Sequence, residues 1–207
     1  HDPFLYRVSA CLQTCLGTDE QAVRCGWRDF RVDGGYFRLN GRRVLVRSTH
    51  TGNHCPVGQI LAPPSAPDLL RRDLLYAKVA GYNMVRFIAG MAHPEQLDLC
   101  DEIGLLVYEE SLAGWCLADS PQMGARFDAA TREMVRRDRN HPSVVVWGLL
   151  NETQDTPVFR RAHGQLPLVR SLDDSRLVLL NSSRWDGQWS IGSVCNPDSQ
   201  EWEYVWG

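Results

Sequence analysis

Five short apolar runs, separated by segments with helical rhythm, limit this chain more than any other feature. They are VLVRST (44–49), NMVRFI (83–88), LLVYEES (105–111), SVVVWGLLNE (143–152) and RLVLLNSS (176–183). A strand that is apolar throughout needs cover on both faces, which implies a parallel sheet wrapped by helices. The intervening segments provide them. DLLRRDLLYAKVAG repeats Leu70, Leu74, Ala77 and Lys78 at helical spacing, with Gly81 as its cap. PEQLDLCDEIG starts on Pro94 and ends on Gly104. PQMGARFDAATREMVRRDRN puts Phe127, Ala130, Met134 and Val135 on one face, and PVFRRAHGQLPLVRSLDDS reads as a broken helix. Residues 1–40 follow a strand period instead. FLYRVSACL alternates, AVRCGWRDFRV follows a polar turn, and YFRLNGRRVLVRS holds an Asn-Gly turn. The tail RWDGQWSIGSVCNPDSQEWEYVWG reads as loop.

Two α/β architectures fit such a pattern. A doubly wound nucleotide-binding fold needs a Gly-rich phosphate loop after its first strand. HTGNHCPVGQILAPP holds neither G-x-G-x-x-G nor G-x-x-x-x-G-K. A (β/α)8 TIM barrel gathers polar residues at the C-terminal ends of its strands. Here those ends carry Asn53 and His54, Arg86, Glu109 and Glu110, Asn151 and Glu152, and Asn181 to Ser183. The expected fold is therefore a partial TIM barrel.

A chain of 207 residues has room for one substantial core. Its net charge is −3, its arginines are scattered, and Lys78 is the sole lysine. That balance argues against nucleic acid and membrane surfaces as partners. No apolar run approaches the ~20 residues of a membrane span. The seven cysteines form no Cys-x-x-Cys pair, which argues against a zinc knuckle or redox motif; no metal and no other cofactor is expected. The opening HDPFLYRVSA reads as the middle of a longer chain and leaves a cytoplasmic or exported setting open.

GWRDFRV, YFRLNGRRVLVRS, AKVAGYNMVRF, LDLCDEIGLLVYEE and RDRNHPSVVVWGLLNE resemble, in order and spacing, the barrel of glycoside hydrolase family 2. This is the family of β-galactosidases, β-glucuronidases and β-mannosidases. The resemblance implies that residues 1–25 end an immunoglobulin-like β-sandwich and that 26–207 form the N-terminal part of the barrel. It also implies retaining hydrolysis of β-linked sugars by two carboxyl groups. Glu152 matches the acid/base, Asn151 the amide that meets the sugar 2-hydroxyl, and Arg86 an arginine beneath the site. Asn53, His54 and Trp185 are candidate sugar contacts; loop capping or packing is the competing reading for each.

The sequence also departs from the family. Thr51, Gly52 and Asn53 stand where galactosidases and glucuronidases show Arg-His-Glu, and Ala89 replaces a sugar-contacting histidine. Ala113 and Trp115 fall where magnesium-dependent members carry ligands. The nucleophile belongs to a seventh strand and is expected beyond this chain. Glu201 and Glu203 come too early to supply it. A degenerate, carbohydrate-binding barrel is the alternative. Five strands leave an open edge, so a borrowed partner, a homo-oligomer or marginal stability is expected.

Overall fold

The computed structural model describes residues 3–51, 68–111, 117–182 and 193–203. An antiparallel hairpin, β1 (Tyr6–Thr14) and β2 (Gly17–Cys25), comes first. A small antiparallel sheet follows: β3 (Phe30–Asp33), β4 (Tyr36–Leu39) and β5 (Arg42–Arg43). Strands and helices then alternate: β6 (Ser48–Thr51), α1 (Leu69–Val79), β7 (Met84–Phe87), α2 (Pro94–Ile103) and β8 (Leu106–Glu110). The series continues with α3 (Met123–Asp138), β9 (Val144–Leu150), α4 (Pro157–His163), α5 (Leu166–Leu172), β10 (Leu177–Asn181) and β11 (Val194–Cys195).

The main sheet has the order β11-β10-β9-β8-β7-β6. Strands β6 to β10 run parallel, and β11 pairs antiparallel with β10. Among the described residues the sheet is open, with β6 and β11 at its edges. It is the wall of a partial TIM barrel, not a closed one.

Local chemistry explains the boundaries. Pro94 occupies the first turn of α2, where a missing N–H is harmless, and Gly104 ends it at φ 68°. The Asn40-Gly41 turn between β4 and β5 has φ of 51° and 75°, as a tight hairpin requires. The first wall strand starts later than its apolar letters suggest. The Val44 N–H donates to Phe37 O (2.9 Å), and the Asn83 side chain donates to Leu45 O (2.8 Å) and accepts from the Arg47 N–H (2.7 Å). That amide replaces ladder pairing, so β6 begins only at Ser48. The tail is not all loop either: Val194 and Cys195 are buried and form β11.

Two apolar layers flank the sheet. Leu74, Leu97, Phe127, Met134, Trp147, Leu149 and Val169 fill the space between strands and helices. On the inner face Met84, Val145, Val146 and Leu177 pack with Phe30, joined by Val32, Phe37 and Leu39 of the small sheet. These inner residues lie at or near the starts of their strands. The small sheet thus plugs that end, and the polar strand ends are left to form a mouth. Among the described residues no helix is long and apolar enough to cross a membrane.

Candidate active site

Parallel register brings the polar strand ends to one level. Arg86 lies opposite Tyr108, Glu110 opposite Gly148, and Asn181 opposite Leu150. Arg86 on β7 reaches across two strands. Its Nε donates to Glu110 Oε1 (2.6 Å), and its Nη2 donates to Asn151 Oδ1. The guanidinium carbon also lies 4.9 Å from the centre of the Tyr108 ring. Glu110 is almost fully enclosed, and its Oε2 accepts the Ala89 N–H (2.8 Å). Burial pushes the Glu110 carboxyl up, and the Arg86 charge and the Ala89 N–H only partly offset this, so it stays above the usual carboxylate range. Burial likewise raises the Tyr108 hydroxyl.

Asn151 and Glu152 follow β9 directly. Asn151 is buried, and its Oδ1 accepts a second bond from Ser182 Oγ (2.7 Å). The same hydroxyl accepts the Glu152 N–H (3.3 Å). Glu152 is half-buried with φ of 49°, a left-handed conformation that costs a non-glycine residue roughly 1 kcal/mol. That turn diverts the chain out of the strand direction. It is braced on its far side by Asn181, whose amide donates to Thr153 O (2.8 Å) and accepts the Thr153 N–H (3.2 Å).

Gly148 permits this packing. A Cβ there would lie 2.3 Å from Tyr108 Cε2 and 2.7 Å from Glu110 Cγ. The signal in the sequence was a glycine inside an otherwise apolar strand, which often marks a close approach. Ser182 showed only as one polar residue at a strand end. Glu110, legible in the sequence only as a strand-end carboxyl, is bonded to Arg86 and to the Ala89 N–H. Glu109 faces away from the mouth: its Oε1 accepts the Ala92 N–H (2.9 Å) and lies 3.5 Å from Arg137 Nη2.

Of the expected site residues, Arg86, Asn151 and Glu152 come together. Asn53, His54 and Trp185 lie outside the described residues, as do Ala113 and Trp115. Glu203 sits at the plugged end, where it accepts from Asn196 Nδ2 (3.2 Å), the amide that also donates to Val32 O (3.0 Å). Asp98, Asp101 and His141 form the one cluster of possible metal ligands among the described residues. Their bonds are already used: Asp101 holds His141 Nδ1 (2.7 Å) and the Ser143 N–H (2.9 Å), and Asp98 pairs with Arg24 (2.6 Å).

A partial barrel with an amide and a carboxyl group at its mouth is an architecture of glycoside hydrolases. Residues 30–202 match the family model described as glycosyl hydrolases family 2, TIM barrel domain. The chain belongs to that family. It is 33% identical to a beta-galactosidase of Erwinia tasmaniensis in an alignment 186 residues long that covers 85% of this chain and 17% of that protein. The beta-glucuronidase of Parabacteroides merdae, solved with glycerol in its active site, is 30% identical with a TM-score of 0.74. That match covers 86% of this chain and 23% of the enzyme. A family 2 beta-galacturonidase of Eisenbergiella tayi, bound to galacturonate, is 32% identical with a TM-score of 0.75, covering 88% of this chain and 32% of the other. The chain thus spans between 17% and 32% of the length of these relatives.

Proposed function

We propose that this chain carries the acid/base half of the active site of a retaining β-glycosidase. The observation that carries this reading is the Arg86–Asn151–Ser182 arrangement beside Glu152. It holds an amide in one orientation next to a carboxyl group at the mouth of the sheet. In this mechanism the Glu152 carboxyl gives its proton to the leaving oxygen and then takes one from water. Asn151 meets the sugar 2-hydroxyl, and Arg86 sets the height of Asn151. The second carboxylate, which forms the covalent glycosyl intermediate, belongs to a strand outside this chain. The relatives act on galactosides, glucuronides and galacturonides, so β-linked hexosides or hexuronides are the proposed substrate class.

Hairpin β1–β2 fits the end of a preceding β-sandwich. Its cross-strand pair Val8 and Val23 is about half exposed, like an apolar face that has lost its facing sheet.

The test uses a protein that carries this chain within a complete barrel. Glu152→Gln is expected to cut turnover of alkyl β-glycosides by about 10²–10⁴-fold. Aryl β-glycosides with good leaving groups need little protonation and should lose far less at the glycosylation step. Equal loss on both sinks the acid role. Sugar binding without any turnover by the unsubstituted protein would instead favour the degenerate barrel.

A further inference from the structure

The hydroxyl of Ser182 has one proton and sits between two groups at the mouth. Asn151 Oδ1 can only accept, so the proton points there (2.7 Å). The Glu152 N–H can only donate, so it takes an oxygen lone pair (3.3 Å). The Ser182 N–H, in turn, donates to Leu150 O (3.2 Å). One residue at the end of β10 therefore ties down three successive residues of the neighbouring strand end: Leu150, Asn151 and Glu152.

The consequence for Asn151 is directional. An arginine N–H is always a donor, and Arg86 Nη2 also points at Asn151 Oδ1. With two donors on its oxygen, the amide has no reason to flip. Its Nδ2 end then takes the opposite direction, and a ligand at the mouth meets a donor. For Glu152 the consequence is a fixed turn. A residue at φ of 49° drifts back towards ordinary geometry unless something holds it, and the Ser182 hydroxyl accepts its N–H.

We propose that Ser182 is a positioning residue of this site: its hydroxyl orients the Asn151 amide to donate to the sugar and holds Glu152 in its left-handed turn. The proposal rests on the glycosidase reading above. It assigns Ser182 no contact with the reacting atoms; it acts through Asn151 and Glu152.

The test compares Ser182→Ala and Ser182→Thr in a complete-barrel protein, using an aryl β-glycoside and its 2-deoxy analogue. Loss of one hydrogen bond should lower kcat/KM of the alanine variant on the full glycoside by about tenfold. The 2-deoxy analogue lacks the group that Asn151 meets and should lose about twofold at most, from the Glu152 turn alone. Threonine keeps the hydroxyl and should restore most of the difference. In an Asn151→Ala background, Ser182→Ala should no longer discriminate between the two substrates. Equal loss on both substrates, no loss, or no rescue by threonine would overturn the proposal. A second readout needs no turnover: the Asn151 side-chain NH2 signals in a 15N-labelled protein. Ser182→Ala should shift or broaden them, and unchanged signals overturn the proposal. Lack of turnover in the unsubstituted protein, with those signals responding to Ser182→Ala, would refute the glycosidase reading and leave the positioning role standing.

Discussion

At the strand starts, Arg176 is enclosed by acceptors. It donates to Val144 O (2.8 Å), Arg139 O (2.7 Å), His141 O (2.8 Å) and Asp173 Oδ2 (2.7 Å). Trp147 Nε1 donates to the same carboxylate oxygen (2.7 Å), and Arg28 adds bonds to Pro142 O (3.1 Å) and Val144 O (2.9 Å). At the strand ends, among the described residues, Arg86 reaches side chains only, and the amide whose oxygen it holds has its donor end turned away from Arg86. Both ends bury arginine beside carboxylate. The first network ends on backbone carbonyls of its own fold and is closed. The second ends at an open mouth. Buried charge alone does not mark a site; hydrogen-bonding capacity left over on an accessible side does.

The largest effect should come from breaking the closed network. Asp173→Asn leaves the Arg176 guanidinium buried without its counter-charge, which should destabilise by about 3–5 kcal/mol. Burial would raise the Asp173 carboxyl, but Arg176 and the Ser175 and Trp147 donors hold it at about 2. Its folded value is thus depressed. The stability it contributes is fully present above the unfolded value of about 3.9 and is lost as pH falls through the folded value. Urea titrations of both proteins should show the gap narrow by roughly 2 kcal/mol between pH 4 and pH 2. Where the variant is folded, its affinity for sugar should be unchanged. A selective loss of that affinity would erase the distinction between the two ends.

Gly148→Ala probes the open end. The added methyl group meets a buried ring and a buried carboxylate, so overpacking should cost about 1–3 kcal/mol. Tyr108 and Glu110 must move, and Arg86 loses the carboxylate that aims it. In a complete-barrel protein, kcat/KM should fall by about 10²-fold, more than the drop in melting temperature explains. Activity that tracks stability alone would show that the mouth tolerates this shift.

The wall and the mouth were legible because both are written locally. An apolar run such as 144–150 has no exposed solution, and a polar pair directly after it must lie at the strand end. Arg86, Asn151 and Glu152 were reached that way, with the help of the family resemblance. Ser182, Glu110 and Gly148 were harder because their roles depend on register between strands about thirty to forty residues apart in sequence. A serine among Asn181-Ser182-Ser183 carries no mark until Leu150 is known to lie opposite Asn181. The displaced start of β6 was hidden for the same reason: apolar letters at 44–47 do not reveal that Asn83 will hold their backbone.

Glu109 falls between the two ends and gives the finest test. It stands at a strand end, like Glu110, but turns outward to Ala92 and the end of α3. Burial first, and then the Asp138 carboxylate, push it well above the usual carboxylate range, outweighing the Ala92 N–H and Arg137. Its Oε2 is buried with no hydrogen-bond partner among the described residues, and the Asp138 carboxylate lies near it. With the folded value raised above the unfolded value of about 4.3, the stability it contributes is full below that pH and declines as pH rises. Glutamine has no proton to lose and presents an N–H in the same place. Glu109→Gln should therefore lie within about 0.5 kcal/mol of the parent at pH 4 and become relatively more stable towards pH 8. Glu109→Ala, which strands the Ala92 N–H, should lose about 1–3 kcal/mol at both. Denaturant titrations across that range decide the matter. If glutamine instead destabilises at pH 8 and not at pH 4, Glu109 is ionised and paired with Arg137. It would then belong to a closed network of the kind that surrounds Arg176.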